Sequence, residues 1–150
     1  MFRSISLGLA FCIMLFSGLA NAEDKKAVVT EMMGKVVAHY EAKGAEQAYK
    51  DFAVKDGDYN KGEYYVVAFN IDSGITEFHA VNAKLIGKNL TKLKDTNGKA
   101  FVAEMLKVAK SDGEGWVDYK WPHPETKKIA QKNSMIHAVG NIALMIGYYE

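Results

Sequence analysis

GWVDYKWPHPETKKIAQKNSMI, Gly115 to Ile136, holds both tryptophans and both prolines of the chain and then runs into Lys127, Lys128 and Lys132. Two strand-like runs bracket the turn PHPE: Gly115 to Trp121, and about Lys128 to Val139. In an extended chain successive side chains point to opposite faces. Val117, Tyr119 and Trp121 therefore share one face of the first run, and Trp116, Asp118 and Lys120 share the other. In the second run Lys132, Ser134 and Ile136 share a face. A third run, Asn141 to Tyr149, follows after Gly140. Three strands joined by short connections predict an antiparallel meander at the end of the chain.

Upstream, KAFVAEMLKVAK, Lys99 to Lys110, places Phe101, Met105 and Val108 on one side of a helix, and DGEG stops it. YYVVAFNI, Tyr64 to Ile71, reads as a largely buried strand from its β-branched and aromatic content. A turn at Asp72, Ser73 and Gly74 returns it through ITEFHA, so that Ile75, Glu77 and His79 share a face. VNAKLIGKNLTKLKDTNG is too irregular for one element, and VKDGDYNKGE is a loop. From Asp24 to about Phe52, Val28, Met32, Val36 and Tyr40 recur at helical spacing, with a break at Gly44. The order predicts an α+β fold: an antiparallel β-sheet of about five strands with a long N-terminal helix.

The chain begins differently. Arg3 precedes the apolar run ISLGLAFCIMLFSGLA, which ends at Ala20, Asn21 and Ala22. A charged start, an apolar middle and a small-x-small end predict a signal peptide over residues 1–22, cut after Ala22, and a single domain over 23–150. Cys12 and Arg3, the only cysteine and arginine, fall within that segment. Cys12 sits inside the apolar run, which argues against a lipoprotein anchor. The remaining chain carries 18 Lys (19 basic residues less Arg3) against 18 Asp plus Glu. A formal charge of zero argues against nucleic acid, whose binders carry a basic excess. No second apolar run is long enough to span a membrane. The expected product is periplasmic or secreted, with no membrane anchor and nothing attached after Glu150.

Few chemistries find their residues. The four histidines form no metal-ligand spacing and have no cysteine partner. The run Asp56, Asp58, Asn60 echoes a calcium loop, but Lys61 and Val67 stand where Gly and Glu are needed. There is no GxSxG, no phosphate-cradling glycine loop and no thiol outside the leader. An enzyme is not expected, and no cofactor is called for. Tyr119, Trp121, Lys132 and His79 are all hydrogen-bond donors, a set suited to a small carboxylate. Tyr and Trp on a strand face serve equally as ordinary core residues, so composition alone leaves both readings open.

Residues His79 to Ser134, HAVNAKLIGKNLTKLKDTNGKAFVAEMLKVAKSDGEGWVDYKWPHPETKKIAQKNS, add a resemblance. They follow the pattern HPxNPxLxGxNLxxLxDxxGxxFVxxMxxxAxxxGxGWVxYxWPxP, and the chain resembles the type 2 single Cache domain, an extracytoplasmic sensor module of bacterial chemoreceptors and histidine kinases. The resemblance implies a PAS-like sheet whose face, with an overlying loop, encloses a small organic acid such as acetate, propionate, pyruvate or lactate. By position it implies a lining of His79, Tyr119, Trp121 and Lys132. It implies a periplasmic binding protein that signals through a partner, a membrane receptor or kinase. The competing expectation is a ligand-free interaction module that forms a homodimer through the N-terminal helix. The chain departs from the pattern at Ala80 and Ala83, where the family has prolines, and at Met135, where an aromatic is common.

Overall fold

The structure is a computed structural model that describes residues 17–150. Most of the expected signal segment, residues 1–16, lies outside the described residues. Helix α1, Ser17–Lys43, is followed by α2, Ala45–Phe52. Gly44, at φ 76°, turns the chain between them, a left-handed conformation that costs a glycine little. Strand β1 is the pair Asn60–Lys61, β2 is Tyr64–Asn70 and β3 is Thr76–His79. A single 3-10 turn, Ala83–Leu85, interrupts the irregular segment that leads to α3, Phe101–Ser111. The chain closes with β4, Glu114–Pro122, β5, Ile129–Val139, and β6, Ile142–Tyr149.

All strand pairs are antiparallel, in the order β1-β2-β6-β5-β4, with β3 also paired to β2. The α+β architecture with its long N-terminal helix is as expected. The expected five strands become six because the loop VKDGDYNKGE contains β1, too short to carry an alternation signal. The closing strand β6 sits mid-sheet between β2 and β5.

Both faces of the sheet are covered. One packs on Val29, Met33 and Val36 of α1 and on Ala48 and Phe52 of α2. The other packs on Phe101, Val102, Met105 and Leu106 of α3. That double cover is why β6 is buried from Ala143 to Tyr149 without alternation. It also shifts the stripe read on α1. Val29, Met33 and Val36 are its centre, while Val28 is 45 % exposed, because true helical spacing drifts off a strict four-residue step. On β4, Val117 and Tyr119 are buried in the α3 cluster and Trp121 packs against it, whereas Trp116 packs against the α1 cluster. The register read from the alternation therefore holds.

Candidate functional site

Three of the four anticipated donors, His79, Tyr119 and Trp121, line one cavity on the α3 face of the sheet, together with Tyr65. Its roof is Leu85 and Leu90 from the irregular segment, and its far wall is Phe101 and Val102. The rings fit closely. Tyr119 stacks on Phe101 at 4.4 Å between centroids, and Trp121 meets Phe101 edge-on at 5.3 Å. The free space is about 20 Å³, room for one water.

The roof is tied to β3 and to β4. Thr76 N–H donates to Lys88 O at 2.9 Å and Gly87 N–H to Thr76 O at 2.8 Å, which draws the segment back along β3. At its end Asp95 accepts from the N–H groups of Asn97 and Lys99 with Oδ1 and from Lys120 N–H with Oδ2, each at 2.9 Å. Those backbone bonds hold its carboxyl below the usual range. Asp95 thus fastens the roof to β4. Sequence reasoning missed it, although the LxDxxG match was there to be used.

His79 enters from the edge strand β3. It is 6 % exposed, while its strand neighbour Glu77 is exposed. Its ring stacks on Tyr65 at 5.4 Å. The Nδ1 atom accepts from Asn82 N–H at 3.1 Å, which fixes the tautomer and leaves Nε2 as the donor. Burial, and then the charge of Lys132, push its pKa down to about 4, so the imidazole is neutral at physiological pH.

Lys132, the fourth candidate, does not line the cavity itself but lies against Tyr65, which does. It is fully buried, the only lysine so placed among the described residues. Its side chain can run flat across β6 because residue 147 is glycine. A Cβ there would lie 2.6 Å from Lys132 Cε and would overlap Ser134 Oγ. Nζ donates to Tyr65 Oη at 2.8 Å and sits 3.9 Å over the Tyr65 ring and 5.0 Å from that of Tyr149. Tyr149 Oη donates its one hydrogen to Pro122 O at 3.0 Å, so across the 3.2 Å contact Tyr65 must donate to Tyr149. Tyr65 can then only accept from Lys132. Of the ammonium's three N–H groups, one is used.

No carboxylate pairs with Lys132 among the described residues. Glu63 favours its charged form but is itself in an ion pair with Lys25 at 3.0 Å. Burial dominates and draws the Lys132 pKa down to about 7. Tyr119 Oη meets Ser134 Oγ at 3.2 Å, and burial pushes its phenol well above the usual range. Tyr65 is likewise kept protonated.

A larger cleft of about 560 Å³ lies between the turn Asp72 to Gly74 and α3, beside Lys107 and Lys110. Both lysines are exposed, and no buried polar group points into it. Size alone does not make it the site; the smaller cavity carries the buried donors.

A family model described as Cache domain matches residues 23–150. A 58-residue stretch is 34 % identical to the methyl-accepting chemotaxis protein McpP of Pseudomonas putida, covering 39 % of this chain and 11 % of that protein. Ninety residues are 32 % identical to the sensor histidine kinase MctS of Rhizobium johnstonii, covering 60 % of this chain and 19 % of that one. The chain therefore spans less than a fifth of the length of these relatives. Among solved structures, a Cache chemosensory domain described for its carboxylic acid recognition superposes with a TM-score of 0.66 at 23 % identity. That match covers 91 % of this chain and 99 % of that one, a likeness of fold.

Proposed function

The chain belongs to the Cache domain family, a family of sensory domains, and from that premise we propose that it captures a short-chain carboxylate between the sheet and the segment Ala80 to Ala100, with Lys132 as the cationic partner. The observation that carries this reading is the proton inventory at Nζ. A buried ammonium with two unused N–H groups and no counter-charge is costly, and a carboxylate supplies both missing elements. The neutral His79 Nε2–H, Tyr119 and Trp121 complete a donor set on one side of an apolar chamber. The described relationship of a Cache neighbour to carboxylic acids supports the class. Acetate, propionate, pyruvate and lactate are the candidates to try first.

Entry requires the roof to lift, since the present space admits one water. The roof segment is mostly exposed and commits Leu85, Leu90 and, at its start, Ala80 to the interior, so its opening costs less than opening the core. Ala80 and Ala83, where the family pattern has prolines, leave it freer still. A thermal-shift series over short carboxylates and amino acids tests the reading. A carboxylate in large excess over its dissociation constant will raise the melting temperature, because it binds only the folded chain. Uniform silence across the carboxylates would end it.

The pH dependence has a defined sign. A carboxylate binds the ammonium form, so affinity is highest below the folded pKa of Lys132, about 7. Above it, affinity falls by about tenfold per pH unit until the bound-state pKa is reached. Without ligand the trend in stability is the reverse. The unfolded chain binds the extra proton between the folded value of about 7 and the ordinary 10.5 of a free lysine, so stability rises with pH across that window. His79 acts at the acid end. Its folded pKa of about 4 lies below 6.5, so stability is lost as pH falls through that range. Calorimetric titrations between about pH 6 and 9 check the first trend, and melting curves check the others.

We assign the domain to the periplasm or the exterior, with residues 1–22 as the signal. Mass spectrometry of the exported protein will then find Glu23 first; a species retaining Cys12 would refute the signal. Ligand capture is passed on through a membrane receptor or kinase partner.

A further inference from the structure

We propose that Lys132 condenses reversibly with the ketone of a 2-oxo acid, forming an imine that hydroxy acids and unsubstituted acids cannot form. The proposal rests on the carboxylate reading above and extends it from charge pairing to covalent selection.

An amine attacks a carbonyl only as the free base, so imine-forming lysines are kept dry and away from carboxylates. Lys132 meets both conditions. Of the three partly covered lysines, Lys25 and Lys99 are tied to Glu63 and to Glu104 with Asp118, and Lys120 stays in part exposed to water. Lys132 alone is fully buried, and its one polar contact is a phenol. Burial holds it near 7, so a substantial fraction is free base at neutral pH.

The step balances without an outside reagent. The Nζ lone pair bonds to the ketone carbon while the C=O pair moves to oxygen, which takes a proton. The resulting carbinolamine expels that oxygen as water, and the nitrogen pair forms C=N. Counted from the ammonium, the products are one protonated imine and one water. The site keeps its single positive charge, so the substrate carboxylate keeps its partner. Tyr65 Oη, 2.8 Å from Nζ, accepts one N–H and so holds the nitrogen in place, while the proton passes from nitrogen to the departing oxygen through water. The Tyr65 and Tyr149 rings, 3.9 and 5.0 Å from Nζ, present faces that favour a cation.

The test is reductive trapping. The protein is incubated with pyruvate, lactate or acetate, treated with cyanoborohydride, and read by intact mass and peptide mapping, while acetate binding is measured by calorimetry on the same preparation. Pyruvate is expected to leave one reduced adduct per chain on Lys132, which excess acetate suppresses. Lactate and acetate will leave none, and Lys132→Met will lose the label. The rate of labelling will rise as pH approaches 7 and fall beyond it, because attack needs the free amine while dehydration and reduction need the proton, whereas acetate affinity is level below 7 and only falls above it. Protein that binds acetate yet yields no adduct, or spreads label over exposed lysines without preference, overturns the imine and leaves the carboxylate reading in place. Failure of both acetate binding and trapping overturns both. Because competition by acetate is read on the unmodified protein, the outcome does not depend on the variant folding.

Discussion

Replacing Lys132 by Met will weaken binding of a short carboxylate by roughly 2 to 5 kcal/mol, the usual cost of removing one partner of a buried hydrogen-bonded charge pair. It will leave the fold intact. Met is the informative choice because the lysine stem is fully buried. Alanine would add a cavity and confuse the reading. Methionine keeps most of the volume and removes an ammonium that has one phenol for company and no counter-ion. The ligand-free variant should therefore melt at or above the parent temperature near neutral pH, and the alkaline rise in stability should vanish with the group that causes it. Affinity is read by calorimetric titration, stability by thermal melting. A variant that binds as tightly as the parent would take Lys132 out of the site and leave only the neutral donors His79, Tyr119 and Trp121.

Gly147→Ala will strike both stability and binding. The added methyl would lie 2.6 Å from Lys132 Cε and 2.8 Å from Asn133 O, and would overlap Ser134 Oγ. The backbone oxygen belongs to the β5–β6 ladder, where Ser134 opposes Gly147, so it cannot move aside alone. Overpacking of this kind costs about 1 to 3 kcal/mol. If the lysine is what yields, its ammonium leaves Tyr65, and carboxylate affinity falls with it. The double variant with Lys132→Met separates the two effects. Once the ammonium is gone, the alanine should cost stability but no further affinity. An unchanged melting temperature and affinity in the single variant would show that the lane along residue 147 is not needed.

How far the fold was legible depends on which contacts decide it. The turn Pro122 to Glu125 and the alternation on either side are local, so β4 and β5 are found within a residue or two of their bounds. The clean side-to-side split of Tyr119 and Trp116 follows from the same alternation. By contrast, β1 is two residues long and exists only because β2 lies beside it. The candidate site divides the same way. His79, Tyr119 and Trp121 stand in a contiguous motif, and the structure brings them to one cavity. Lys132 was legible as a donor but not as a buried one, because its cover comes from elsewhere. Tyr65 is 67 positions away in sequence, and Tyr149 reaches it across the β5–β6 pairing. Neither tyrosine is marked in the sequence as part of the site. Gly147 carried a faint signal, a glycine inside a strand, which often marks close approach by another group.

In the proposed complex a carboxylate sits on the Lys132 ammonium beneath the Ala80 to Ala100 segment. A crystal structure of the protein grown with acetate or propionate tests it most directly. A carboxylate oxygen is expected within hydrogen-bonding distance of Lys132 Nζ, with His79 Nε2 or Tyr119 Oη as a second donor and the roof of Leu85 and Leu90 lifted from its present place over the cavity. A carboxylate bound instead in the cleft beside Lys107 and Lys110, with Lys132 still bonded only to Tyr65, would contradict it.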